Sequence, residues 1–442
     1  MSDELIQVKY TLDTLNYNTD KLRTKIYKST SSVEYKILNY DLICDNDQEY
    51  GMYRSVVLSH PENNTLCFSP PKSVTLEHFQ ETYPDITNPD IFVNEIIEGT
   101  MINLFYDPRI ESWQIATKGA IGGNYSFYKT HPQPESESSD EVASMTFRQM
   151  FLDALRVPLR NENESGNDLN DFVGFTDFSK EYCYNFVLQH PRNHIVLDIQ
   201  HPVVYLISVY HIVGEENNQV VYIPPTVYEE WDCFLGLRGL IEFPKHLNDE
   251  TPVAAAAPES SYAGLTEKYG SPLSDSYHPL GCMILNLKTG MRTSIINPKY
   301  KEVRELRGNN PNLCYQYLCL KRISKVMDFL SYFPQYKNVF YRFHTQYENF
   351  ITNIHQAYLI YYVKKSGVKI AKRYFQIIYK LHHEYYLPSL STETRRIMRR
   401  SEIKQIMNKF EFNYVYTNFI HAEREKQDIY MVDEPACIVQ EN

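Results

Sequence analysis

From about Ser32 to Gln200 the chain carries short apolar or alternating runs broken by Asn, Asp, Pro and Gly, the signature of strands in an antiparallel sheet. Ser55 to Leu58, Met101 to Tyr106 and Asn193 to Leu197 are examples. Phe147, Met150, Phe151, Ala154 and Leu155 instead recur at helical spacing, which predicts a helix from Thr146 to Arg156 packed on a sheet. Strand patterning returns at Gly281 to Leu285 and at Thr293 to Ile296, with Lys288-Thr289-Gly290 between them as a hairpin turn. From about Tyr315 the period becomes that of helices. Phe329, Phe333, Tyr336 and Phe340 lie three or four apart, and a long run follows from His344 to Tyr386. Gly367 interrupts that run, Pro388 ends it, and Ser391 offers an N-cap for the next helix. The pattern predicts an α+β protein, with an antiparallel sheet domain over 1–314 and an all-α domain over 315–442. Three stretches, 131–144, 161–171 and 248–276, read as mobile insertions with too little apolar content to pack.

The length of 442 residues agrees with two cores rather than one. Net charge changes the picture more. The chain carries 44 Lys+Arg against 55 Asp+Glu, or -11, but residues 315–426 hold 19 against 8, or +11, which leaves -22 for the remainder. The helical part is a basic body on an acidic protein, suited to a phosphate backbone such as RNA or to an acidic protein surface. A solvated face balancing the acidic half is the other reading. Within it Arg395, Arg396, Arg399 and Arg400 form the densest cluster, and on a continuous helix the first three share one face. The Tyr and Phe residues there suit base stacking as well as a helical core. Eight cysteines without a CxxC pair argue against a disulfide framework and against a zinc site, so no metal is expected. No run of eighteen apolar residues and no signal-like N-terminus is present, so a cytoplasmic protein with no membrane association is expected.

The candidate chemistry begins at Ile96-Ile97-Glu98-Gly99-Thr100. A strand follows, then the turn Asp107-Pro108-Arg109 and the segment Trp113 to Thr117 closed by Lys118-Gly119. Upstream lie Tyr35 to Tyr40, Tyr53-Arg54-Ser55-Val56, and Ser69-Pro70-Pro71-Lys72 with Phe79; downstream lie Tyr184 to Gln189 and Arg192 to Val196. In that order, over about residues 33–310, these segments resemble the phage-type ATP-dependent RNA ligases. Arg304 to Asn309 resembles a segment that ligase-like proteins of large cytoplasmic DNA viruses place before a helical domain, where its arginines would meet RNA phosphates or pair with the acidic sheet domain.

The resemblance implies a nucleotidyltransferase fold, in which the lysine of a Lys-x-Asp/Glu-Gly element attacks the α-phosphate of ATP with magnesium present. This chain departs from the pattern at the reactive groups. Ile96 stands at the nucleophile position, and no lysine occurs between Lys72 and Lys118. Val187 stands where a ribose-contacting carboxylate is expected, Leu280 or Pro279 where a metal-associated glutamate is expected, and Ser294 and Ile296 where paired lysines are expected. Lys299-Tyr300-Lys301 repeats the lysine spacing a little later. Arg54, Glu98, Gly99, Lys118 and Gly119 remain as nucleotide-binding candidates, the two cations suiting a phosphate without being nucleophiles. Read structurally, the glycines serve backbone turns and Lys118 is a solvated strand end. The expectation is a catalytically degenerate ligase-like protein with no cofactor, kept for binding nucleic acid or as an assembly component such as part of a virion. The rival is an active RNA ligase that uses ATP and magnesium through a displaced lysine, Lys118 or Lys72.

Overall fold

The computed structural model describes residues 8–28, 33–127, 145–158, 168–213, 218–247, 261–271, 276–391 and 397–425. The chain divides into two compact units, Met1–Glu305 and Leu306–Asn442. It is an α+β molecule, with antiparallel sheets in the first unit and helices in the second.

The sheet unit runs through β1 (Lys9–Thr11), β2 (Leu22–Lys28), β3 (Glu34–Tyr40), β4 (Val56–His60), β5 (Thr65–Phe68), β6 (Ile91–Glu95), β7 (Thr100–Asp107) and β8 (Ser112–Thr117). It continues with β9 (Ala120–Ile121), β10 (Tyr182–Gln189), β11 (Val203–Val213), β12 (Gln219–Ile223), β13 (Ile241–Glu242), β14 (Gly281–Asn286) and β15 (Arg292–Ile296). An eight-stranded sheet has the order β1-β12-β11-β10-β7-β8-β9, with the short β13 added parallel to β11. A second sheet is β2-β3-β4-β5 and a third is β15-β14-β6. Alternation along β7 assigns the faces. Ile102 and Leu104 pack with Phe151, Tyr184 and Phe186 in one core, while Phe105 packs with Ile37, Val57, Phe68 and Tyr210 in another, against the second sheet. Burying two faces at once explains why β10 reads as a nearly continuous apolar run.

The helix predicted from 146 spans Phe147–Ala154, and its start is set by a capping box between Thr146 and Gln149. The β14–β15 turn forms as predicted: Asn286 Oδ1 accepts from the amides of Lys288 and Thr289, and Gly290 takes φ +67°. Two expectations fail. Asn193 to Leu197 is a loop, not a strand, because its Val196 and Leu197 amides donate to a side-chain carboxylate instead of a neighbouring strand. Of the three supposed insertions, 131–144, 161–167 and 248–260 lie outside the described residues. Leu169, however, is fully buried in a 3-10 turn, and Tyr262–Gly270 is a helix whose Tyr262, Leu265 and Tyr269 pack onto Cys282, Ile284 and Ile295 of the third sheet. Their spacing of three and four is a helical stripe that composition alone conceals.

The helical unit contains Leu313–Arg322, Val326–Tyr332, Lys337–Tyr358, Lys372–Lys380, Arg400–Met407 and Phe412–Glu425. Phe329, Phe333, Tyr336 and Phe340 form one aromatic cluster, with Phe329 and Phe340 stacked at 4.8 Å. The predicted long run is a 22-residue helix that widens into a π turn, Leu359–Val363, before the Gly367 break at φ +73°. A second π turn, Leu381–Tyr386, follows Lys372–Lys380. Among the described residues no helix is long and apolar enough to cross a membrane.

Candidate functional site

Position 96 follows β6, and Glu98 and Gly99 lead into β7. Glu98 is buried, and its Oε1 accepts the amides of Val196 at 3.0 Å and Leu197 at 2.8 Å. Its carbonyl accepts Gln189 Nε2 at 2.8 Å. The carboxylate therefore fastens the loop after β10. Gly99 is needed for close approach: a Cβ there would lie 2.4 Å from the Leu188 carbonyl oxygen and 2.6 Å from Val187 Cγ1. Gly119 has no such role, since a Cβ would meet nothing within 4 Å and its φ is not positive. Gly119 does sit in the two-residue turn Lys118-Gly119 that joins β8 to β9, without needing a glycine's conformation, and its carbonyl is held by the Tyr27 hydroxyl.

Val187 lies on β10 opposite Met101, on the same face as the buried Asn185. There the Asn185 amide donates to Asn103 Oδ1 and to the Phe68 carbonyl, Asn103 donates to Ser69 Oγ, and Ser208 Oγ donates to Asn185 Oδ1. This buried chain satisfies its own polar groups and joins β7, β10 and β11. Leu280 is buried, and its carbonyl accepts the Asn297 amide. Lys299 and Lys301 are on the helix Pro298–Arg307, where Lys299 pairs with Glu302 at 2.9 Å. They are not on the strand that carries Ser294 and Ile296.

That strand brings in a residue that sequence reading missed. Arg292 opens β15 two and four positions before Ser294 and Ile296, on the face opposite the buried Thr293 and Ile295. Its Nε donates to the Pro71 carbonyl at 2.8 Å. Burial, and then the nearby Arg54 guanidinium, pull its pKa down to about 10, so it stays charged at neutral pH. Arg54 itself is lowered by burial, with Tyr40 and Tyr210 opposing. Lys118 is lowered by partial burial and then by Arg54, and its ammonium sits 5.2 Å from the centre of the Tyr40 ring. Asn39, on β3, sets this geometry by donating to the carbonyls of both Arg54, at 2.8 Å, and Lys118, at 2.7 Å.

Arg54, Lys118 and Arg292 thus form one cationic cluster fed by three sheets. Its surroundings are phenols: burial raises Tyr10 to about 12 and pushes Tyr210 and Tyr222 well above their ordinary value, so these rings stay neutral. Among the described residues no carboxylate pairs with any of the three cations. Three like charges held together with neutral acceptors are an arrangement for an anion. Lys72, in contrast, is engaged by Asp45 at 2.9 Å and by the Cys44 carbonyl.

In the helical unit the proposed arginine face is not built. Arg395 and Arg396 lie outside the described residues. Arg399 precedes the helix Arg400–Met407 in extended backbone, so the four do not share a continuous helix. Arg400 is paired with Glu348 at 2.7 Å. Arg307, in the junction-like segment, is fully buried with its guanidinium 5.3 Å from the centre of the Tyr336 ring, which removes it from contact with RNA phosphates.

No family model matches the sequence. Over 304 residues the chain is 22% identical to the immediate-early protein ICP-46 homolog of Invertebrate iridescent virus 6, a distant similarity that covers 67% of this chain. The chain spans 58% of the length of that relative.

Proposed function

We propose that this chain is a catalytically degenerate, RNA ligase-like protein of viral origin that binds nucleic acid, with the cationic cluster of its sheet unit taking a phosphate without covalent chemistry. The observation that carries this reading is the cluster of Arg54, Lys118 and Arg292, free of carboxylates among the described residues, in a chain whose position 96 offers an isoleucine and no amine. Cations hold a phosphate by charge-assisted hydrogen bonds, whereas a phosphoramidate requires an amine in line with the α-phosphorus. The Glu98-Gly99 pair agrees with this, because loop anchoring and strand approach account for both residues without a nucleotide. Distant similarity to an iridovirus protein supports the viral origin.

Lys118 gives the rival reading its one support. Its lowered pKa is what a displaced nucleophile needs, and the catalysed step would be adenylylation from ATP with magnesium. Incubating the full chain with radiolabelled ATP and magnesium, then separating it under denaturing conditions, decides between the two. No covalent label is expected, and none with Ile96→Lys, because groups acting as a unit do not recover singly. A label that survives denaturation and disappears in Lys118→Ala would establish the active ligase instead. Binding is read by fluorescence anisotropy with a short RNA bearing a 5′-phosphate, against the same RNA with a 5′-hydroxyl. Arg54→Ala or Arg292→Ala should weaken the phosphorylated RNA by about tenfold, the effect of one charge-assisted contact, and leave the other unchanged. If neither RNA binds, the role in assembly becomes the better account.

A further inference from the structure

The helical unit also exposes cations away from the arginines near position 400, at the break between the two π turns. Between Glu348 and Glu384 the chain has six Lys+Arg and no carboxylate. Lys364 and Lys365 are exposed in the loop that leaves the first π turn, and Lys372 is exposed at the start of the next helix. Among the described residues none of these three has an acidic partner. Lys372 lies three and seven positions before Phe375 and Tyr379, so it shares their helical stripe.

Beside these cations runs a ladder of rings. Tyr361 contacts Phe375 at 5.2 Å, Phe375 contacts Tyr379 at 6.2 Å, and Tyr379 contacts His383 at 4.1 Å. A helical core would hide such rings, yet Tyr361 is 41% exposed and Tyr379 is 48% exposed. The parallel set beneath is satisfied internally: Tyr362 stacks on His382 at 3.7 Å, and His382 Nδ1 bonds the Tyr358 hydroxyl at 2.9 Å. The wider π turns set the outer rings apart from this inner layer, a kind of local irregularity that recurs at functional sites.

We propose that this tip binds single-stranded nucleic acid, with phosphates on Lys364, Lys365 and Lys372 and bases stacked on Tyr361 and Tyr379. The chemistry selects that partner. Lysines on a mobile-length side chain follow a backbone of any sequence, and exposed rings accept only bases that are not already stacked in a duplex. An acidic protein surface would use the lysines but leave the rings idle. The inference rests on the proposed nucleic-acid role and moves its main surface from the arginines to this tip.

The test uses the full chain and a fluorescein-labelled oligouridine with a 5′-hydroxyl, so that the cationic cluster of the sheet unit does not contribute, at several salt concentrations. The wild-type protein should bind with affinity that falls steeply with salt. Lys364→Ala/Lys365→Ala/Lys372→Ala should reduce the slope of log affinity against log salt by about two, the value for three lost phosphate contacts on a single strand. Tyr361→Ala/Tyr379→Ala should weaken binding by about tenfold or more with the slope unchanged, and Tyr361→Phe/Tyr379→Phe should bind like the wild type, since stacking needs only the ring. Arg399→Ala/Arg400→Ala should have little effect. Unaltered binding by the lysine and tyrosine variants overturns the assignment of the tip, and equal affinity for a duplex overturns the single-stranded partner. If those variants are inert while Arg54→Ala still weakens 5′-phosphorylated RNA, the tip fails and the sheet unit's cationic cluster stands; if no RNA binds at all, both fall.

Discussion

Two groups of cations, one in each unit, have opposite surroundings. In the basic helical unit, Glu348 gathers Lys404 at 2.5 Å, Arg400 at 2.7 Å and Lys321 at 3.6 Å. Burial opposes ionisation of that carboxyl, but Lys404, Lys321 and Arg400 hold its pKa below the ordinary value. In the acidic sheet unit, Arg54, Lys118 and Arg292 are met by neutral phenols. The local balance is the reverse of what the +11 and -22 suggest. A regional net charge says which way the long-range field points, while the nearest carboxylate decides whether a given cation is available to a ligand.

Removing the centre of the helical cluster is the strongest way to break this contrast. Glu348→Ala should destabilise the helical unit by about 2 kcal/mol, because it leaves three partly screened cations facing one another. The check is urea unfolding followed by the far-UV helical signal, and an unchanged midpoint would mean that Glu348 is not the counter-charge inferred. A smaller effect of opposite sign is expected in the sheet unit. Arg54→Met removes a half-buried charge that has no acidic partner, so stability should hold or rise by up to about 1 kcal/mol. Both tryptophans, Trp113 and Trp231, belong to that unit, so their fluorescence reads its unfolding separately.

The smallest effect comes from His190, which sharpens the contrast from the other side. It is 3% exposed, its Nε2 lies 3.0 Å from Asp153, and its Nδ1 accepts the Arg192 amide. Burial lowers its pKa despite the opposing pull of Asp153. Above the ordinary histidine value near 6.5 both folded and unfolded forms are neutral and stability is complete; as pH falls below it, the unfolded chain takes the proton first and stability is lost. Between pH 7 and pH 5 the loss should be on the order of 1 kcal/mol or less by tryptophan fluorescence, and His190→Gln should reduce it.

The parts of this architecture that rest on local spacing were legible in the sequence. The Phe147 to Leu155 spacing announces a helix, Lys288-Thr289-Gly290 announces a turn, and the Phe329 to Phe340 spacing announces an aromatic cluster, which the fold divides between two helices and the 3-10 turn joining them. The cationic cluster of the sheet unit was only half legible. Arg54 and Lys118 drew attention because each sits in a motif-like segment, but Arg292 sits in none: alternation along β15 puts it on a face with Ser294 and Ile296, while only the pairing and packing of separate sheets bring it near Arg54. Register joins residues that are far apart in the chain, and no periodicity in a single strand encodes it. The same blindness made Asn193 to Leu197 look like a strand, since the carboxylate that claims its amides lies nearly a hundred positions away. The arginines near position 400 show the converse failure, where spacing supposed a helical face that begins only at Arg400.

The anchoring role of Glu98 has a consequence for how such a chain could have changed over time. Position 96 is half-buried, whereas substitution at Glu98 frees two loop amides, and any side chain at Gly99 collides with Leu188. Selection for folding alone would therefore hold Glu98 and Gly99 in place and constrain position 96 less. A Glu-Gly pair after a strand then answers to the demands of an architecture, and by itself says nothing of chemistry at the neighbouring position.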